Sequence, residues 1–79
     1  MTHFFFHTWR GDQWSADEIG LDLQRQSQAH GLAARDLGEM ARDLLHVSSD
    51  DMVLGIDIVD AEGTLLARLR LAYTLKPEP

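Results

Sequence analysis

Cysteine is absent from this chain of 79 residues, which excludes a disulfide framework and a thiolate metal site, the usual staples of a small scaffold. Proline occurs only at Pro77 and Pro79, so residues 76–79 read as a frayed tail behind a single domain spanning residues 1–79. No stretch approaches the roughly 18 continuous apolar residues of a membrane span, and no membrane role is expected. Basic residues are scarce: no Lys or Arg precedes Arg10, and His3 and His7 interrupt the opening apolar residues, so a secretory leader is not expected and a cytoplasmic location fits. Thirteen acids against seven bases give a net charge of −6, which repels phosphate backbones at long range and argues against nucleic acid as a partner. Six of the bases are arginine, an excess that codon bias explains more simply than selection for recognition. A chain this short buries only about 60–65% of its unfolded surface, so nearly every apolar residue is needed for packing.

Residues 2–9 alternate with period two, placing Phe4 and Phe6 on one face of a strand and His3, Phe5, His7 and Trp9 on the other. Turn residues follow at 10–13, Trp14 starts a short second strand, and Gly20 marks a tight turn. From Gln26 to Leu45 the period becomes helical: Ala29, Ala33, Leu37, Met40, Ala41 and Leu44 form one stripe. Residues 48–51 break the helix. Two strands are then expected over residues 53–59 and 64–75, joined at Asp60 to Gly63, where glycine supplies a positive φ. Registering Ile58 against Leu65, Ile56 against Ala67 and Leu54 against Leu69 gathers the large aliphatics on one face and leaves Val53, Asp57, Val59, Leu66, Arg68 and Arg70 on the other. The fold class is therefore α+β, one amphipathic helix on a three- or four-stranded antiparallel sheet in the order β-(β)-α-β-β. The expected core is Phe4, Phe6, Leu54, Ile56, Ile58, Leu65, Leu69 and Leu71.

Residues 4–7 (Phe-Phe-Phe-His), the Asp-Glu-x-Gly-x-Asp-Leu run at 17–23, the alanines at 29 and 33 and the Asp-x-Glu-Gly turn at 60–63 resemble a family of small bacterial proteins catalogued as a domain of unknown function. The resemblance covers almost the whole chain and departs at residues 24–26, where the family more often has a proline, an acidic cap and a leucine. It implies a shared fold and carries over no catalytic residue. The glycine-containing acidic turn and the element order are similar, more loosely, to antitoxin-type domains, which is fold-level analogy.

The chemical signatures are weak. His3 and His7 share a strand face but lie about 13 Å apart, too far for ligand bonds of about 2 Å to one ion. His30 and His46 are about 24 Å apart along a helix, and no metal or cofactor is expected. Asp17 with Glu18 and Asp50 with Asp51 fall in turns, there is no nucleophile elbow or phosphate loop, and a chain this small has little left to enclose a substrate, so an enzyme is not expected.

One helix covers one side of a sheet. The other side would present Phe5, His7, Trp9, Asp57, Arg68 and Arg70, with His3, Val53, Val59 and Leu66 around them, as an interaction surface for a protein partner or a second copy. The competing reading is a regulatory or antitoxin-like domain whose Phe5, Trp9, Arg68 and Arg70 contact nucleic acid, or which meets a basic partner protein.

Overall fold

The computed structural model describes residues 1–47 and 51–79. Ser48, Ser49 and Asp50, in the expected break after the helix, lie outside the described residues. The elements are β1 (Thr2–Arg10), β2 (Gln13–Ser15), β3 (Leu21–Leu23), α1 (Gln26–Leu45), β4 (Met52–Val59) and β5 (Leu65–Tyr73). All strand pairings are antiparallel, in the order β2-β1-β4-β5, with β3 paired to the start of β1.

The α+β class, the helix bounds and the opening strand match what the residue patterns predict. The sheet has one strand more. Gly11, at φ +64, lets Arg10 and Gln13 face each other across a tight hairpin, and the chain then runs back along β1. Residues 16–20 loop outward before β3 rejoins β1 at Phe4 and Leu21. Gly20 permits that return: its φ is +74, and a Cβ there would sit 2.8 Å from the Phe4 carbonyl oxygen. Three residues are too few for periodicity to announce a strand.

The α1 stripe packs chiefly on β4. Ala29, Ala33 and Leu37 are buried there, and Met40, Ala41 and Leu44 continue the stripe half-buried. The two alanines let the helix backbone approach Leu54, Ile56 and Ile58, each of which contributes about 1.5–3 kcal/mol on burial. At the helix start the Gln28 side-chain oxygen accepts from the Gln24 and Arg25 amides, both at 3.1 Å, supplying the cap that residues 24–26 lack in their own composition.

The hairpin register differs from the expected one by two residues. Ile58 faces Ala67, Ile56 faces Leu69 and Leu54 faces Leu71, and an irregularity at Ile58/Val59 brings Val59 opposite Leu65. A shift of two preserves the face of every residue beyond the bulge, whereas the bulge exchanges the two residues beside it. Leu65 therefore leaves the expected core and is 46% exposed, while Leu66, expected on the open face, packs against the core. Leu71 keeps its face but is 41% exposed, because α1 lies over β4 and leaves the outer part of β5 uncovered. The turn matches expectation: Gly63 has φ +84, its amide donates to the Asp60 carbonyl at 3.0 Å, and Asp60 Oδ1 accepts from the Glu62 and Thr64 amides.

Candidate functional site

The strand registers sort the helix-free face into rows. Trp14, Trp9, Gly55 and Arg70 line up across β2, β1, β4 and β5; His7, Asp57 and Arg68 form the next row; Phe5, Val59 and Leu65 form the third. Period-two alternation puts these side chains on one face, apart from Leu65, which reaches it through the bulge at Ile58/Val59.

Asp57 is the centre of the face and its side chain is only 9% exposed. Its Oδ2 accepts from the Trp9 indole Nε1 at 2.9 Å, and its Oδ1 accepts from Arg68 Nε at 3.1 Å and Arg70 Nη1 at 3.2 Å. A carboxylate so little exposed is tolerable only when paired and hydrogen-bonded, and here both oxygens are used. Burial pushes the Asp57 carboxyl up, and the bonds from Trp9, Arg68 and Arg70 more than reverse this, holding it below the ordinary carboxylate value. Gly55 makes the third bond feasible. A Cβ at Gly55 would collide with Arg70 Nη1 and lie 3.0 Å from Arg70 Cζ, so the Arg70 guanidinium lies across Gly55 on its way to Asp57. Arg70 Nη1 also donates to the Leu69 carbonyl at 2.9 Å, which fixes the head group further.

At the β1 edge the gap between β2 and β3 is bridged by Asp17. Its Oδ2 accepts the Phe6 amide at 3.1 Å, and its Oδ1 accepts the Ile19 and Gly20 amides at 3.0 Å each. Burial raises the Asp17 carboxyl, but the Gly20, Ile19 and Phe6 amides outweigh it and the net direction is downward. His7 Nδ1 accepts the Asp17 amide at 3.0 Å, turning this ring toward the loop. His3 Nδ1 faces Asp22 Oδ1 at 2.6 Å and Nε2 faces the Ile19 carbonyl at 2.8 Å. Both partners are acceptors, so the ring satisfies both only as the doubly protonated imidazolium. The bonds to Asp22 and to the Ile19 carbonyl accordingly raise the His3 pKa.

The rings form a continuous stripe. His3 meets Phe5 edge-on at 4.8 Å between centroids, Phe5 stacks on His7 at 6.5 Å, His7 meets Trp14 at 5.2 Å, and Trp14 meets Trp9 at 6.5 Å. Trp9 is half-buried, with the 51% exposed Trp14 beside it across the hairpin, while Leu21 lies at the far end of β1 opposite Phe4.

All six residues singled out from the sequence lie on this face. Trp9, Asp57, Arg68 and Arg70 converge in one hydrogen-bonded group; Phe5 and His7 belong to the adjoining stripe, with His7 bound to the loop. Gly55, Trp14 and Asp17 are not among the residues singled out for the face, although the sequence reads Trp14 as the start of a strand and Asp17 as a turn acid. The pairing of Trp14 with Trp9 follows from the tight hairpin at Gly11, but the roles of Gly55 and Asp17 depend on a neighbouring strand and leave no local pattern. Among the described residues, no group of three or more His, Asp or Glu is placed to hold a metal ion, and no helix is long and apolar enough to cross a membrane.

Neither the curated proteins nor the solved structures contain a match to this chain. A protein-family model described as a domain of unknown function, DUF6894, matches residues 3–72, and the chain belongs to that family.

Proposed function

We propose that this domain is a non-catalytic protein-interaction module, able to take a protein partner or a second copy, and that its working surface is the sheet face away from α1. The observation that carries this reading is the Asp57 group. Three donors from two strands hold one little-exposed carboxylate in the middle of an otherwise aromatic and aliphatic surface, with Trp14, Val53 and Leu65 exposed around it. A patch meant only to face water needs no such fixed centre, and the side chains that Asp57 holds in place, Trp9, Arg68 and Arg70, are of the aromatic and arginine types in which interfaces concentrate binding energy. Arg68 and Arg70 remain 52% and 38% exposed while bonded to Asp57, so their guanidinium faces stay open for stacking.

The reading as a regulatory or antitoxin-like domain on nucleic acid is weaker for two reasons. Asp57 offsets one of the two arginine charges on the face, and the chain as a whole carries −6. Salt-titrated binding to a single-stranded oligonucleotide discriminates the readings. We expect no saturable binding even at low ionic strength; tight binding that falls steeply with salt and is lost in Arg68→Ala would replace the interaction-module reading with the nucleic-acid one.

A further inference from the structure

The open face is complementary to itself. From β2 to β5 its central row reads Trp14, Trp9, Gly55, Arg70, with the exposed Trp14 and the half-buried Trp9 at one end and a guanidinium laid over a glycine at the other. A two-fold axis parallel to the strands and midway between β1 and β4 reverses this row. It brings β1 of one copy over β4 of the other, and β2 over β5. Trp9 then lies over Gly55 of the second copy, where the Arg70 guanidinium crosses, and Trp14 lies over the start of the Arg70 side chain. The next row brings His7 over Asp57, and the third brings Phe5 over Val59. Every meeting in these rows is ring on guanidinium, imidazole on carboxylate or apolar on apolar.

We infer that the occupant of the open face is a second copy of this chain, docked face to face about that two-fold axis, with Trp9 and Trp14 of each copy stacked on Arg70 of the other. The inference rests on the interaction-surface reading and adds the partner and its orientation. The stacking geometry is prepared in the single chain. Arg70 Nη1 donates to both Asp57 and the Leu69 carbonyl, which fixes the guanidinium across Gly55 while the side chain stays 38% exposed and available for stacking. Isologous contact is the common way for a patch to be complementary to itself, and an aligned packing of two antiparallel sheets is an ordinary sandwich. The alternative axis, across the strands and between these two rows, would set Arg70 over Arg68 of the other copy with like charges opposed. Four strands spaced about 4.8 Å apart, with about 3.3 Å per residue along them, give a footprint of about 500 Å² on each copy, about 1,000 Å² in all. That is at the low end of specific interfaces and implies a reversible dimer.

The test is sedimentation velocity over about 1 μM to 1 mM, combined with isotope-filtered nuclear Overhauser measurements on a mixture of labelled and unlabelled chain. The expected result is a mass that rises from 8.9 kDa toward twice that value, intermolecular contacts from the Trp9 and Trp14 indole protons to the Arg70 side chain, and dimerisation weakened by about tenfold or more in Trp14→Ser. Trp14 is largely exposed, so Trp14→Ser leaves the fold of the dilute monomer intact, as its urea midpoint checks; Arg70→Gln, read for the same intermolecular contacts, is the second variant. A chain that stays at 8.9 kDa to 1 mM overturns the second copy as occupant and leaves the face for a different protein. A dimer that forms equally in Trp14→Ser, with its contacts on α1 or on the β5 edge, overturns both the two-fold arrangement and the reading of this face as the working surface.

Discussion

The Trp9 indole N–H reaches diagonally from β1 to Asp57 on the adjacent strand β4, 2.9 Å away, and so ties the two inner strands together on the side that α1 leaves bare. That bond makes Trp9 both part of the exposed stripe and part of the fold. Trp9→Phe keeps an aromatic ring and removes the donor, and a hydrogen bond to a charged group contributes about 1.5–3 kcal/mol. We expect a loss in that range by urea denaturation, and a smaller loss when the same change is made in an Asp57→Asn background. Equal losses in the two backgrounds would mean that Trp9 and Asp57 are not coupled.

Gly55 is the second contributor to the same group. Gly55→Ala places a methyl where Arg70 Nη1 and Cζ now lie, so the arginine must leave Asp57 or the strand must shift. We expect destabilisation of about 1–3 kcal/mol, most of it recovered when Arg70→Ala removes the obstructing group. Failure of Arg70→Ala to relieve the Gly55→Ala defect would place the strain at the Leu69 carbonyl, which a Cβ at Gly55 would approach to 3.0 Å.

Stability should respond to pH from both sides. Asp57 and Asp17 have folded pKa values below the ordinary 3.8, so each binds its proton more weakly folded than unfolded. Their contribution is fully present above the unfolded value and is lost as pH falls through the depressed folded values. His3 is the opposite case. Its folded pKa lies above the ordinary 6.5, so its contribution is complete below 6.5 and disappears as pH rises through the folded value. Urea midpoints across pH should show the stability difference between the parent and His3→Gln shrinking on the alkaline side of 6.5, and that between the parent and Asp17→Asn shrinking in acid. A His3→Gln difference that grows with pH would contradict the imidazolium assignment.

The core should be sensitive along the helix stripe in proportion to burial. Leu37 is 7% exposed and lies against the β4 aliphatics, so Leu37→Ala should cost about 2–5 kcal/mol. Leu44, half-buried, should cost less. Thermal melts of the two variants check the ordering, and equal costs would mean that α1 sits further over its C-terminal turns than described.

What the sequence revealed and what it hid follow one physical line. The helix from Gln26 to Leu45, the alternating strands and the Gly63 turn are legible because their causes are local: a 3.6-residue stripe, a two-residue pleat, a glycine at positive φ. The six residues placed on the open face were legible for the same reason, since alternation assigns a face without needing strand order. The bulge that exchanges Leu65 and Leu66, the three-residue β3 and the Arg70 guanidinium over Gly55 were not, because each is decided by a neighbouring strand. Asp17 shows the same limit. In sequence it is a turn acid beside Glu18; its partners are the Phe6 amide eleven residues back and the amides of Ile19 and Gly20.

The most direct test of a prebuilt interaction face is solvent exchange at the two indole N–H groups, measured by NMR in dilute and concentrated protein. Trp9, bonded to Asp57, should be protected at every concentration; Trp14, 51% exposed, should exchange freely when dilute and become protected as the concentration rises. A Trp9 indole that exchanges as fast as that of Trp14 at all concentrations would show that the Asp57 group does not form and that the face has no fixed centre.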